Sequence, residues 1–487
     1  MIRARAALAL LVAAAVAAAV VSGGSPTDPR TPPALPGLPA PFLGTAVLGS
    51  GDLTAAVDAY GDVIDLRAGP AGRPLIEIPP GRPTVDGVAA SGGIVPGVRV
   101  GGVRVPPWRA ERVLQRYRAG TNVLVVTASF GSATVTTTYA AHAGVLACRT
   151  RVTGPARVAV DSSDRGVGSR LHCDDGRART VLRAAERLDR QWLARSRPLA
   201  RDAPRWALRM YRRSLLALRA STDRRTGAVA AGAREGWAYV WPRDAGAVAL
   251  AFAAAGHRTE ARRVARFLLR LDLDAAARFD GDGGPVEGRE AQGDAAGWVG
   301  AAARAANLPI LGPTAPWRDR SDYWEGERGD YLGNALAAAS LGAASRSVLK
   351  RFESRRGLMR ASADPASGLD SAAGWAVRPF PQPALFPAAR RTLLALATSR
   401  TRFGITPGEA WEGLDPWTAP TAWTAWSLAA LGERGAALRL LGSLRRAATR
   451  AGALPERVDV RTGVPTSTTP LAWSHAFAIL ALRELWP

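Results

Sequence analysis

The sequence predicts two domains in series: an antiparallel β-sandwich, then a domain made of helices alone. Three observations lead there. At 487 residues, 47% of them hydrophobic, the chain exceeds what one ordinary core can organise. From about residue 42 to 185, short Val- and Thr-rich runs alternate apolar with polar and are broken by Gly and Pro. From about residue 200 onward the apolar spacing becomes helical, and many of the helices are apolar on more than one face, as helices packed against helices on both sides must be.

The chain opens on MIRARAALALLVAAAVAAAVVSGG, in which Arg3 and Arg5 precede sixteen uncharged residues, Ala6 to Val21. That is the layout of a signal peptide at 1–24. It is also nearly long enough for a membrane anchor, since a span needs about 17–25 apolar residues. Either way the body is expected to be exported, extracellular or held at the cell envelope, and the segment would allow membrane association. Residues 25–41, SPTDPRTPPALPGLPAP, form a proline-rich linker.

The β-sandwich domain is placed at 42–185. LTAAVDAYGDVIDLRAG and GIVPGVRVGGVRVPP read as short strands. NVLVVTASFGSATVTTTYAA, residues 122–141, reads as a hairpin turning at Gly131. Residues 186–201 are a connector. The helical domain, 202–487, starts on DAPRWALRMYRRSLLALRAS, with Asp202 as cap and Pro204 in the first turn. Further helices are expected at about 243–256, 259–271, 294–306, 331–344, 384–398, 419–432, 434–449 and 470–485, with residues 354–384 able to hold one or two more.

The formal charge of +23 is carried almost wholly by arginine, Lys350 being the sole lysine. Because these arginines are spread along the chain with no dense basic run, nucleic acid is not an expected partner. Cys148 and Cys173 could pair or remain buried thiols, which the sequence leaves open, and two are too few for a cysteine metal site. His142, His172, His257 and His475 show no ligand spacing, so neither metal nor cofactor is expected. Of 15 tryptophans, 13 lie from Trp206 onward, many beside carboxylate-bearing loops. Aromatic faces stacking on sugar C–H surfaces would explain that; the blander reading is core packing, for which Trp423 and Trp426 are the candidates.

Four loop segments carry the chemistry: GWAYVWPRD at 236–244, DYWEGER at 322–328, GLDPW at 413–417, and LPERVD at 454–459, followed by TGVPTSTTPLAWSHAFAILAL. Glycoside hydrolysis needs two carboxyl groups flanking the scissile bond, one to protonate the leaving oxygen and one to activate water. Glu325 and Glu456, on separate inter-helix loops, suit that geometry. In their order and spacing the four segments resemble glycoside hydrolase family 15, which includes glucoamylases, glucodextranases and some trehalases, from about residue 200 to the end. The upstream β domain is similar to the N-terminal sandwich of its bacterial members.

The resemblance implies a six-hairpin (α/α)6 barrel, shortened here, because only nine clear helices are read where twelve are usual. It implies an exported, inverting, exo-acting α-glucoside hydrolase releasing glucose from non-reducing ends. The alternatives are a trehalase or glucodextranase of the same family, and a non-catalytic glycan-binding envelope protein. An oligo- or polysaccharide α-glucan would be the substrate, and a monomer is expected.

By the same resemblance Glu325 is the general acid and Glu456 the general base. Arg243 and Asp244 grip the terminal sugar, and Trp237, Tyr239, Trp241, Trp324, Trp417 and Arg402 contribute to binding. Gln292 and Asp294 match a further pocket segment loosely. Glu412 in AWEGLDPW is a rival acid, disfavoured by its position in the order of segments. Glu327 stands where Gly326 displaces the second acidic residue common in the family, and is read as pairing with Arg328 in solvent. His475 is read as a structural histidine hydrogen-bonding the base loop.

Overall fold

The computed structural model describes residue 35, 37–41, 43–77, 97–154, 158–161, 170–310, 315–362 and 364–487. The segment expected to be a leader, 1–24, and most of the proline-rich linker lie outside these residues. No helix among the described residues is long and apolar enough to cross a membrane.

The first domain contains twelve strands among the described residues. β1 (Gly44–Gly49), β2 (Thr54–Asp58), β3 (Val63–Arg67) and β4 (Pro74–Glu77) form one antiparallel sheet in chain order. β5 (Gly97–Val100) and β6 (Val103–Val105) pair with β11 (Val158–Asp161) in a small sheet. β7 (Arg112–Tyr117), β8 (Leu124–Phe130), β9 (Ala133–His142), β10 (Val145–Thr153) and β12 (Leu171–Cys173) form the third, ordered β12-β10-β9-β8-β7.

The hairpin expected at 122–141 is β8–β9, with Gly131 at φ 57° in the turn, where a left-handed backbone favours glycine. Leu48, Val57 and Ile64 of the first sheet share one core with Leu124, Val126, Tyr139 and Leu146 of the third, which makes the sandwich. One pairing is not antiparallel: β12 runs parallel to β10, with Cys148 opposite Cys173, and the two are disulfide-bonded.

The outer face of the third sheet is covered by α1 (Gly176–Ala194), whose Val181, Leu182 and Ala185 pack on Val123, Ala140 and Val145. This helix crosses the boundary expected at 185/186. Its Arg-rich sequence hides a narrow apolar stripe that the strand-like reading of the region passed over.

The helical domain begins with α2 (Arg205–Ser221), capped at Pro204 without a side-chain bond, so Asp202 does not cap it. Then follow α3 (Pro242–Ala254), α4 (Arg258–Leu268), α5 (Ala295–Ala305), α6 (Leu332–Ala339), the short α7 (Arg346–Lys350), a six-residue 3-10 segment at Ser371–Ala376 between shorter 3-10 turns at Pro365–Ser367 and Pro383–Leu385, α8 (Phe386–Thr398), α9 (Thr418–Ala430), α10 (Arg434–Ala447) and α11 (Ala472–Leu485).

Helix contacts close a ring: α3 packs on α5, α5 on α6, α6 on Ser371–Ala376, that segment on α9, α9 on α11, and α11 back on α3. These six are the inner members. α2, α4, α7, α8 and α10 are outer, and no helix occurs among the described residues between α5 and α6. The result is a six-hairpin barrel in which, among the described residues, one outer helix is missing and two members are cut to a turn or two. Ser371–Ala376 falls, with the turn at Pro365–Ser367, in the 354–384 stretch read as able to hold one or two more helices.

Inner helices are buried almost all round, which accounts for their Ala- and Gly-rich sequences. A Cβ on Gly297 of α5 would meet Ala337 of α6 at 2.5 Å, so glycine sets that approach. The ring is filled by aromatics: Trp298 packs edge-on to Trp375 at 5.1 Å and Trp423 to Trp473 at 5.2 Å, and Trp423 and Trp426 are core residues.

Candidate active site

Each carboxylate-bearing loop runs directly into an inner member of the barrel, so the ring gathers those loops at the N-terminal ends of its helices. There they enclose a cavity of about 250 Å³. Its lining includes Trp237, Trp241, Arg243, Asp244, Trp324, Trp417, Glu325 and Glu456.

Pro242 opens α3 in the first-turn position that its fixed φ suits, and this puts Arg243 and Asp244 in the same turn, buried at the cavity floor. Arg243 donates to Gln292 Oε1 at 2.6 Å and Asp294 Oδ2 at 3.3 Å, and lies 4.8 Å above the Trp473 ring. Asp244 Oδ2 is 3.7 Å from Arg243 Nε. Burial pushes the Asp244 carboxyl up to about 7; Arg243 opposes this, and the nearby charges of Glu456 and Asp294 add to it. Gln292 and Asp294 thus reach the site as supports for Arg243, and Gln292 also donates to Glu325 at 3.4 Å.

Glu325 sits on a tight turn. Its backbone N–H donates to Asp322 O at 2.9 Å, and its φ is 57°. Asp322, buried, accepts from Trp324 N at 3.0 Å and takes both arms of Arg360 at 3.0 and 2.9 Å. Arg360 in turn covers the Trp324 ring at 3.9 Å. The Glu325 carboxylate accepts the Trp241 indole N–H at 3.0 Å and pairs with Arg289.

Glu456 is held from its own backbone: its N–H donates to Thr468 O, and its carbonyl accepts from Thr418 N, both at 2.9 Å. Its carboxylate accepts from Trp237 Nε1 at 3.4 Å and from the Ser467 hydroxyl.

Tryptophans wall the cavity. Trp324 meets Trp411 edge-on at 5.0 Å, and Trp411 meets Trp417 at 5.1 Å. The indole N–H groups of Trp324, Trp417 and Trp473 and the Nε of Arg243 and Arg457 are buried without a hydrogen-bond partner. A buried unpaired donor is costly, so donors converging on one hollow mark a place for a hydroxyl-rich ligand.

Several expectations need correction. Arg402 is not at the cavity; its side chain is exposed and lies over Phe403. Tyr239 packs under Arg278 at 4.9 Å instead of lining the wall. Glu412 is exposed and outside the lining, although its neighbour Trp411 belongs to it. Glu327 does not pair with Arg328, which forks onto Glu290 at 2.6 and 2.9 Å.

His475 is buried, accepts from Leu454 N at 3.0 Å and bonds Ser214 at 2.8 Å. Burial first and Arg213 second lower its pKa to about 3, so it is a neutral strut for the loop that carries Glu456. Sequence reading missed Arg289, Tyr323, Trp411, Arg457 and Trp473 in the lining. Arg457 and Trp473 lie inside the quoted segments, and adjacency to Glu456 could have flagged Arg457. Arg289 carried no signal beyond being one arginine among many.

A larger hollow of about 630 Å³ lies elsewhere, beside the start of α4, and includes neither Glu325 nor Glu456. No group of three or more His, Cys, Asp or Glu among the described residues could hold a metal ion.

A family model described as Glycosyl hydrolases family 15 matches residues 205–275, which span α2, the WPRD turn, α3 and α4. Among solved structures, a bacterial glucoamylase complexed with acarbose aligns over 93% of this chain and 95% of its own, at 13% identity and a TM-score of 0.67. A wild-type glycosidase covers 61% of this chain and 98% of its own at 22% identity and a TM-score of 0.46. A glucoamylase from Saccharomycopsis fibuligera covers 53% and 89% at 14% identity and a TM-score of 0.42. The last two are too distant to carry an argument, and the first speaks to the fold: a β-sandwich joined to a six-hairpin barrel. None of the curated proteins matches the chain. The family match over residues 205–275 and the fold match over most of the chain make it similar to glycosyl hydrolases family 15 proteins.

Proposed function

We propose that this chain is an exported, exo-acting hydrolase of α-glucosides that inverts configuration, with Glu325 as general acid and Glu456 as general base. One observation carries the reading: two carboxylates 131 residues apart in sequence line a single small cavity, over an Arg243–Asp244 floor and between tryptophan walls. A cavity of about 250 Å³ suits one terminal sugar ring better than the middle of a chain, which favours exo action. The fold match to a glucoamylase complexed with acarbose supports an oligosaccharide ligand.

In this mechanism Glu325 protonates the glycosidic oxygen as the bond to the anomeric carbon breaks. Glu456 takes a proton from the water that attacks the opposite face. Arg243 and Asp244 hold hydroxyls of the terminal sugar with donors and acceptors in fixed directions. Glu325 must carry a proton to act, so the arriving sugar has to displace Arg289 from its carboxylate. Inversion predicts carboxyl groups about 6.5–9.5 Å apart across the sugar. Export, by the leader at 1–24, and a monomeric state complete the proposal.

The test is turnover of maltose, isomaltose, trehalose and longer α-glucans by the wild type and by Glu325→Gln and Glu456→Gln. Each variant should lose on the order of 10²–10⁴ in kcat. Full activity in both would overturn the assignment, and the preferred disaccharide names the linkage.

A further inference from the structure

The larger hollow lies at the far end of α3 from the carboxylate cavity, roughly 20 Å along that helix at 1.5 Å per residue. It lies at the junction of the two domains. Ser50 comes from the β-sandwich, Trp192 and Arg195 from the end of α1, Arg219 from α2, Arg224 from the loop after it, and His257 to Arg263 from the first turns of α4.

Its charge is one-sided. Five of its sixteen lining residues are arginine, whereas lysine and arginine together make up 64 of the 487 residues in the chain. Arg219 is engaged by Asp189 at 2.6 Å. Among the described residues Arg195, Arg224, Arg258 and Arg263 make no side-chain hydrogen bond or ion pair. The two carboxylates present are committed elsewhere: Glu260 accepts the Trp192 indole N–H at 2.7 Å, and Asp223 accepts the backbone N–H groups of Arg225 and Thr226 at 2.7 and 2.8 Å.

The backbone points the same way. α4 starts here, and its N-cap His257 makes no side-chain capping bond. The ring instead bonds Ser196 at 2.7 Å and stacks on Trp192 at 3.8 Å. Burial, with Arg195 and Arg219 also nearby, lowers its pKa to about 4, so it adds no further cation. The first turn of the helix therefore has no side-chain cap and carries both Arg258 and Glu260, the latter turned toward the Trp192 indole.

We propose that this hollow binds a small phosphate-bearing molecule, its phosphate oxygens held by Arg258, Arg263 and the first turn of α4, with Arg195 and Arg224 closing from the other side. Guanidinium forks and helix N-termini both suit phosphate oxygens, and the number of unpaired cations calls for more charge than a monocarboxylate carries. The volume is that of a small-molecule site, and Gln191, Thr222 and Thr259 offer partners to a polyol or sugar body.

The experiment is calorimetric titration of the full-length protein with inorganic pyrophosphate and with glucose 6-phosphate, at constant ionic strength. Arg258→Ala/Arg263→Ala should weaken binding at least tenfold, while the pair Arg439→Ala/Arg445→Ala, on α10, should change it less than twofold. Should the first pair fold poorly by circular dichroism, Arg258→Lys/Arg263→Lys keeps the charge but loses the forks, and should still weaken binding. No binding by the wild type, or equal loss from both alanine pairs, would overturn the proposal. The order of the two probes tells a free oxyanion from a phosphorylated sugar. The Glu325→Gln protein should bind both unchanged, which separates this site from the carboxylate cavity.

Discussion

At Glu325 the backbone takes a left-handed conformation, φ 57°, that a residue with a Cβ adopts at some cost. Asp322 holds it there, since it accepts Trp324 N and is itself clamped by Arg360. Removing Arg360 would leave the buried Asp322 carboxylate unpaired, at a cost of about 3 kcal/mol or more. Arg360→Ala should therefore lower the denaturant midpoint and reduce kcat together, as the turn carrying Glu325 loosens. A stability loss with unchanged kcat would show that the clamp does not position the acid. Glu325, Glu456, Arg243 and Asp244 could be read in sequence because each sits in a short segment entering an inner helix. Arg289, 36 residues upstream of Glu325, could not, because only the barrel's closure brings it to the carboxylate. The Arg328–Glu290 pair escaped for the same reason: sequence proximity favoured Glu327, and folding supplied a better-placed partner.

Among the elements, the 3-10 segment Ser371–Ala376 does the work of a whole inner helix. It is capped by Asp370, whose carboxylate accepts Ala372 N at 2.6 Å and the Tyr323 hydroxyl at 3.1 Å. Burial raises the Asp370 carboxyl to about 7, with the Asp322 charge adding to the rise. A group whose folded pKa lies above its unfolded value near 3.9 stabilises fully below about pH 4, and that contribution is lost as pH rises through about 7. Asp370→Asn keeps an acceptor and does not titrate, so its melting temperature should fall less than that of the wild type between pH 4 and 8. Parallel curves would remove Asp370 as a source of the pH dependence. This segment was hard to foresee because six residues, five of them Ala, Gly and Ser beside Trp375, carry too little periodicity. The long helices were legible because burial on both faces writes a dense apolar pattern.

Across the whole molecule the sandwich and the barrel are knit by buried polar contacts. Asn122 Nδ2 donates to Gly49 O and to Leu216 O, each at 2.9 Å, joining β1 to α2, and its N–H donates to Asp189 at 2.7 Å. Thr54 donates to Ala220 O at 3.1 Å, and Ala220 belongs to the sandwich core. Asn122→Ala removes both of these side-chain bonds, at about 0.5–1.5 kcal/mol each, and should lower the stability of both domains in one calorimetric transition. Two separated transitions would show that the domains fold independently. The two-domain order was legible from the change of period near residue 200, but the interface was not, because single residues such as Asn122 make it. The central claim, an inverting glucosidase with its acid on one loop and its base on another, meets its most direct test in proton NMR of maltotriose during early turnover. The account predicts that β-glucose appears first and that the signal is lost with Glu456→Gln. Release of α-glucose first, or undiminished release by Glu456→Gln, would contradict it.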